Sequence, residues 1–385
     1  MPSTPPHRVT NLPANDLRVE GGPGAASMAE EGQPFAHEAA RQWRRRTPFL
    51  VLRQPGPGGG PVRSPLVRRF VTQNLGLVLA YALLVATFGA YLSFFDVSQG
   101  SLPGAFSYAS ITGSALPLVS VTLGQTLVLL TGGIDLSIGG IVDLTNSLAA
   151  THLRTDLWSM LGWSIAVIGV GALGGLVNGL FIVRGRLQPI LVTIATLSIF
   201  QGLALRILPS PGGSVPPSYT NFLVNPNQPT GLVLVVILAL GWAALRRTRF
   251  GANVYAIGND RSAARSRGLP VRRTVLGVYV VSGMLAAFAG LLLAAVSTSG
   301  DATAGDVFTL NSIAAAVLGG VSLMGGRGSG VGGIAGAFVI TLVVDVLFFA
   351  HVNPLFEPFY EGAFLIAAIV LNFVISTYLK RRSRL

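Results

Sequence analysis

Hydrophobic residues dominate the chain after about residue 70, and they occur in long runs that short polar breaks separate. A helix needs about 20 apolar residues to cross the hydrocarbon core of a bilayer. Ten such runs follow one another, at about 75–95, 111–131, 137–152, 158–183, 189–208, 230–245, 274–296, 309–324, 331–350 and 361–379. The third, sixth and eighth are short for a full crossing. The pattern therefore predicts about ten membrane segments, some of them short or broken around a pathway.

A glycine-rich break, TGGIDLSIGGI (131–141), precedes the third segment and is echoed later by MGGRGSGVGGI (324–334). The two stretches align without gaps. Each copy follows one apolar run and opens another. We therefore predict two pseudo-repeated halves, at about 111–208 and 274–379, with broken helices at the paired glycines. These are Gly132, Gly133, Gly139 and Gly140 in the first copy, and Gly325, Gly326, Gly332 and Gly333 in the second.

Other glycines recur at four-residue spacing, which places them on one face of a helix. One series is Gly171, Gly175 and Gly179, and the other is Gly328, Gly332 and Gly336. Small residues at this spacing let helices approach closely in lipid. We expect them to serve packing.

The composition agrees with an all-α polytopic membrane protein. Hydrophobic residues make up 51% of the chain, charged residues 11%, and the mean hydropathy is +0.62. Soluble domains carry about 25% charged residues. The absence of cysteine excludes disulfides and cysteine-ligated metals, and the four histidines are scattered, so we predict no metal site.

The positions of the charged residues predict which side of the membrane each loop faces. Residues 1–70 are rich in proline, glycine and arginine and predict a disordered cytoplasmic tail ahead of a transmembrane domain at 71–380. Arginines without acids at 41–69 predict a cytoplasmic N-terminus. With ten crossings, the loop 246–273 and the basic tail 381–385 fall on the same side. The net charge of +12 therefore indicates orientation in a plasma membrane and no nucleic-acid binding.

Polar residues around the first glycine break are candidates for a substrate path. Asp143, Asn146 and Ser147 form a stripe on one helix face, whose hydrogen-bonding groups suit a polyhydroxylated solute better than an ion. Interhelical hydrogen bonding is the alternative. Asp135 and Ser137 either cap the helix that begins near residue 138 or contribute to the path.

The loop 246–273 is the longest cytoplasmic loop that we predict within the core. Asn259 or Asp260 can cap a short helix that contains residues 262–265, and Gly268 fits the position after its end. A short surface helix between two membrane segments suits a cytoplasmic partner. Its arginines also favour anionic membrane lipid.

Three sequence motifs resemble those of a known family of membrane proteins. TRFGANVYAIGNDRSAARSRGLPVRR (248–273), LTGGIDLSIGGIVDLTN (130–146) and NSIAAAVLGGVSLMGGRGSGVGGIAGA (311–337) resemble permease subunits of ribose-type ATP-binding-cassette sugar importers. The resemblance covers about residues 70–380. It implies a bacterial inner-membrane permease, homodimeric or heterodimeric, with both termini cytoplasmic. Asn311, which opens the third motif, joins the predicted path.

The resemblance also implies partners. A cytoplasmic ATPase would bind ATP and magnesium and contact the loop at Gly258, Asn259, Asp260, Ala263, Ala264, Arg265 and Gly268. An extracytoplasmic binding protein would deliver a monosaccharide. The chain itself would carry no cofactor and no catalytic residue, and it contains no phosphate-loop motif.

Rival interpretations remain at this point. Permeases for nucleosides or branched-chain amino acids share the layout. An ion-coupled secondary transporter would use Asp135, Asp143 and Asp345 as ion sites. A membrane glycosyltransferase would need acidic or histidine-containing loops at the interface, and the outer loops offer only isolated acids.

Overall fold

The computed structural model describes residues 75–356 and, beyond them, residues 359, 360, 362–364, 366, 367, 370 and 374. In this part of the chain the regular elements are helices, and no strand occurs. The all-α fold class is therefore confirmed for the described residues. The predicted tails, 1–70 and 381–385, and most of the tenth predicted segment lie outside them.

The residues described beyond 358 are helical, and twelve α-helices follow one another between residues 75 and 349. They are α1 (Leu75–Gln99), α2 (Ala105–Leu130), α3 (Ile138–His152), α4 (Leu157–Val183), α5 (Pro189–Ile207), α6 (Pro217–Val224), α7 (Thr230–Arg247), α8 (Arg249–Asn259), α9 (Arg261–Ser266), α10 (Val271–Ser297), α11 (Asp306–Leu318) and α12 (Gly330–Phe349). A 3-10 turn at Pro354–Phe356 follows.

Seven of these helices, α1, α2, α4, α5, α7, α10 and α12, are long and apolar enough to cross a membrane. The third and eighth predicted segments are the short helices α3 and α11, of 15 and 13 residues. The sixth predicted segment is α7, which at 18 residues is the shortest of the seven helices that are long enough to cross a membrane. Neither the eight-residue α6 nor the eleven-residue α8, which lies inside the predicted loop 246–273, was predicted.

Helix α2 forms the centre of the bundle. In its most apolar stretch, 94% of the residues are buried, whereas the share is 17% in the corresponding stretch of α7 and 22% in that of α1. It packs against α10, α12, α11 and α7. The peripheral helices expose apolar side chains, as lipid-facing helices do, whereas α2 is enclosed by protein.

The glycine series pack helices together, as predicted. Gly171 of α4 lies against the backbone of Gly283, and Gly175 lies against Tyr279, both on α10. A Cβ atom at either glycine would overlap these backbone atoms, so only glycine permits this approach. Gly332 and Gly336 of α12 pack on α11 in the same way. Gly328 differs, because it lies in the loop before α12 with φ 135°.

The connections group at two ends of the bundle. At one end, called here the α9 end, the α4–α5 loop shares a cavity with α9, and Tyr255 of α8 contacts the α11–α12 loop. At the other, the α6 end, Gly212 and Gly300 exchange two backbone hydrogen bonds. The loops predicted to be cytoplasmic thus lie at one end of the molecule.

Candidate translocation and coupling site

A buried hydrogen-bond network surrounds the break between α2 and α3. Asp135 Oδ1 accepts from the Ser137 backbone N–H (3.0 Å) and from the Ser137 hydroxyl (2.6 Å). Asp135 Oδ2 accepts from Ser282 of α10 at 3.3 Å. The Asn178 amide of α4 donates to Ser137 Oγ, and Thr196 of α5 donates to Asn178 Oδ1, both at 2.7 Å.

This network gives Asp135 a structural task that differs from the predicted capping. Ser137 is the residue before α3, but its side chain makes no capping hydrogen bond. The Asp135 carboxylate instead fixes the turn that precedes the helix and, directly or through Ser137, joins it to α10 and α4. Asp135 and Ser137 are both fully buried. In this conformation they hold the break in place.

Asp143 and Asn146 of α3 hold the loop between α10 and α11. Asp143 Oδ1 accepts from the Gly305 N–H at 2.6 Å, and Asn146 Oδ1 accepts from the Asp301 N–H at 2.8 Å. Each side chain keeps a second polar atom, Asp143 Oδ2 and Asn146 Nδ2, that is buried and has no partner among the described residues. The Thr309 hydroxyl of α11 is buried and unpartnered as well.

The other two predicted path residues are placed differently. The Ser147 hydroxyl donates to the Asp143 carbonyl of its own helix at 2.8 Å. Asn311 lies on α11 and is half-buried. The predicted stripe therefore divides: Asp143 and Asn146 bind the α10–α11 loop, whereas Ser147 bonds within α3.

The first glycine pair of each copy lies in a break. Gly132, Gly325 and Gly326 have φ angles of 78°, 86° and 69°, in the left-handed region that glycine adopts without steric cost. The second pair of each copy, Gly139 and Gly140 or Gly332 and Gly333, lies inside the first turns of α3 and α12. The breaks thus lie at the first pairs, and the second pairs allow close packing.

The two breaks touch each other and the end of α8, and we call this contact the glycine joint. The Gly326 N–H donates to the Leu130 carbonyl, the last residue of α2, at 2.9 Å. A Cβ atom at Gly258 of α8 would overlap both groups. One at Gly326 would lie 2.7 Å from the Asn259 nitrogen. Three segments thus meet where no side chain fits.

Tyr255 provides a second link between α8 and the later break. Its hydroxyl donates to the Gly328 carbonyl at 2.9 Å. Burial raises the pKa of the Tyr255 hydroxyl, so the group stays protonated and able to donate at neutral pH. The α8 helix is therefore fixed to the α11–α12 loop at two points.

The short helix α9 has the predicted caps. Asp260 Oδ1 accepts from the N–H groups of Ser262 and Ala263, at 2.8 and 2.9 Å. Gly268 follows the helix with φ 76°. Ala264 is buried, so it packs the helix against the protein, whereas Arg265 is exposed.

Comparison with known proteins identifies the class. A family model described as the permease component of the branched-chain amino acid transport system matches residues 107–372, more than half of the chain. The chain belongs to this permease family. Its members are transport subunits, so the permease is a multi-pass membrane protein and not an enzyme.

Individual relatives agree with this assignment. The permease is 33% identical over 332 residues to a probable ABC transporter permease protein, y4mJ, of Sinorhizobium fredii, covering 84% of this chain and 96% of the relative. It is 34% identical over 262 residues to the ribose import permease RbsC of Bacillus subtilis (66% and 80%). It is 31% identical over 327 residues to the autoinducer 2 import permease LsrC of an Enterobacter species (84% and 92%). No solved structure matches it.

Several polar residues of the permease were not predicted from the sequence. Asn178, Thr196 and Ser282 complete the Asp135 network, and Thr309 joins the unpartnered atoms beside Asp143. A further buried group lies on α2, where the polar side-chain atoms of Thr122, Gln125 and Thr126 have no partner among the described residues. An amide inside an apolar run, as at Asn178 or Gln125, is the signal that could have found them.

Proposed function

We propose that the chain is the membrane-spanning subunit of an ATP-binding-cassette importer for a monosaccharide or a similar polyhydroxylated solute. The family match supports the transport role, and relatives named for ribose and autoinducer 2 import support this solute class. The observation that carries the mechanism is the glycine joint, because it connects the α8–α9 segment directly to both breaks in the membrane helices.

ATP and magnesium would be bound by a separate cytoplasmic ATPase. We propose that this partner contacts the exposed face of α9, which presents Ser262 and Arg265. Three of the other predicted contact residues have supporting tasks: Asp260 and Gly268 cap the helix, and Ala264 packs it. A displacement of α8–α9 would pass through Gly258 to the end of α2 and to the α11–α12 loop.

The orientation follows from the arginines. The α9 end carries Arg184 and Arg186, the basic loop 246–273 and Arg327, so we propose that it faces the cytoplasm of a bacterial inner membrane, with both termini on that side. The α6 end, with the loops 208–216 and 298–305, would then receive solute from an extracytoplasmic binding protein. A second permease subunit, identical or related, would complete the transporter.

The solute route would pass the unpartnered polar atoms near the α6 end. Asp143 Oδ2 can accept a hydrogen bond from a sugar hydroxyl, and Asn146 Nδ2 can donate one. The Thr309 hydroxyl can do either. A buried polar group without a partner costs about 1–3 kcal/mol, so a solute hydroxyl would relieve that cost. Because the atoms are buried, the α10–α11 loop must open before solute reaches them.

Substitution of Asp143 by asparagine tests this route. The asparagine amide would keep an oxygen for the Gly305 N–H but replace the free carboxylate oxygen with a donor. Loss of one hydrogen bond to the solute, worth about 1–1.5 kcal/mol, should raise KM for uptake roughly tenfold. The assay is uptake of ribose, other pentoses, nucleosides and leucine by cells that express the complete importer.

The matched control is Ser147→Ala on the same helix, which removes only an intrahelical hydrogen bond. Uptake should change for Asp143→Asn and not for Ser147→Ala. Equal uptake by Asp143→Asn, the control and the wild type would assign Asp143 to packing alone. Uptake of leucine in place of sugars would reject the proposed solute class but keep the permease assignment.

A further inference from the structure

A basic cavity lies at the α9 end, beside the α8–α9 segment. Its volume is about 500 Å³, and it is lined by four arginines, Arg186, Arg261, Arg265 and Arg272, together with apolar residues that include Leu187. No acidic residue lines it. Four like charges repel one another when they converge on one cavity, and an anion relieves that repulsion. The charge pattern therefore indicates an anionic occupant.

The arginines come from three separate elements of the fold. Arg186 lies in the α4–α5 loop, Arg261 and Arg265 lie on α9, and Arg272 lies in the first turn of α10. The neighbouring acid Asp260 directs its Oδ1 to the start of α9. The cavity is thus a meeting point of segments far apart in the sequence.

The backbone conformation of Arg186 supports the interpretation that the cavity is a binding site. Its φ angle is 55°, in the left-handed region that glycine favours. The residue that follows, Leu187, also lines the cavity. Residues are held in such conformations where the surrounding structure compels them, and these positions concentrate at functional sites.

We propose that this cavity binds the phosphate of an anionic phospholipid headgroup. The planar guanidinium groups of arginine match phosphate oxygens in pairs, and several of them can surround one phosphate. Basic pockets between membrane helices on the cytoplasmic side accept such headgroups. Free phosphate or a soluble nucleotide shares this chemistry, so the surroundings of the cavity must distinguish the sources.

The apolar surroundings favour a lipid. Leu187 lines the cavity and is 50% exposed, and Ile190 and Leu191 in the first turn of α5 are 43% and 64% exposed. An acyl chain would find an apolar surface on the same segment that supplies Arg186. A soluble anion would leave this surface unused. Because α9 carries two of the arginines, a bound headgroup would also fix α9 to the α4–α5 loop.

The inference rests on the cytoplasmic placement of the α9 end but not on the identity of the solute. The test uses the full-length permease, purified in detergent and titrated by calorimetry. The ligands are short-chain phosphatidylglycerol, short-chain phosphatidylcholine and inorganic phosphate. The variant is Arg186→Gln with Arg272→Gln, which leaves α9 unchanged. The control, Arg247→Gln with Arg273→Gln, removes the same charge from exposed residues that do not line the cavity.

Phosphatidylglycerol should bind, and phosphatidylcholine should not. An arginine near anionic lipid contributes about 1 kcal/mol, which is about fivefold in affinity. The cavity variant should therefore bind about 25-fold more weakly, and the control should bind as the wild type does.

Three results would overturn the proposal. Inorganic phosphate that binds as tightly as phosphatidylglycerol would assign the cavity to a soluble anion. An equal loss in the control variant would reduce the effect to surface charge. Absence of phosphatidylglycerol binding to the wild-type permease would show that the cavity holds no lipid headgroup. A failure of sugar uptake with phosphatidylglycerol binding intact would reject the proposed function and leave this inference standing.

Discussion

Substitution of Gly258 by alanine is the sharpest perturbation of the glycine joint. The new methyl carbon would overlap the Leu130 carbonyl oxygen and the Gly326 nitrogen and would lie 3.0 Å from the Gly326 Cα. These are backbone atoms, so no side chain can rotate away. The breaks after α2 and before α12 would have to separate, and the 2.9 Å hydrogen bond between Leu130 and Gly326 would be lost.

The free energy of unfolding should fall by several kcal/mol. A lost buried hydrogen bond costs about 1–3 kcal/mol, and forced overpacking costs about 1–3 kcal/mol more. Alanine regains about 1 kcal/mol because it favours the helix more than glycine does. The net loss is then about 1–5 kcal/mol. A lower thermal midpoint of the purified permease, and less transport per ATP hydrolysed in proteoliposomes, are the expected results.

Gly241→Ala is the matched control. Gly241 lies inside α7, and a Cβ atom there would meet nothing within 4 Å. The same chemical change should leave transport unaltered and raise the thermal midpoint slightly. If Gly258→Ala were as stable and as well coupled as Gly241→Ala, the glycine joint would not connect α8 to the membrane helices.

Two further predictions concern the supporting contacts. Asp260→Ala removes the side-chain cap of α9 and should cost about 1 kcal/mol locally, measured as faster amide hydrogen exchange at 261–266. Unchanged exchange would show that α9 does not need this cap. Asn178→Leu removes the amide that links Ser137 to Thr196 and should lower the thermal midpoint by the equivalent of about 1–3 kcal/mol. A leucine variant as stable as the wild type would mean that the network contributes nothing to stability.

The membrane-spanning helices could be predicted from the sequence because their apolar runs are long enough to cross a bilayer. The short helices α6 and α8 could not, because neither contains a long apolar run. The caps of α9 were predictable as well, since Asp260 and Gly268 act on their nearest neighbours in the chain. The glycine spacing at 171, 175 and 179 likewise gave the packing of α4. All of these are local signals.

The joint and the networks depend on contacts between distant segments. Gly258 needs to be glycine only because Leu130 and Gly326 lie beside it in the fold, and neither hydropathy nor spacing carries that information. Asp135 was expected either to cap a helix or to contribute to the path, and its position in the sequence could not show that its oxygens face Ser137 and Ser282. Ala264 was expected to face a partner, but it is buried. Its burial could not be predicted, because a helix of six residues is too short to show which of its faces is apolar.

The central claim is that ATP hydrolysis on a partner drives solute through this permease by way of α8 and α9. The most direct test reconstitutes the permease with its ATPase and binding protein in proteoliposomes and measures ribose uptake. Ser262→Trp, on the exposed face of α9, should abolish ATP-driven uptake, whereas Ala252→Trp on α8 should not. Uptake that continues in Ser262→Trp, or that an ion gradient drives without the ATPase, would contradict the account.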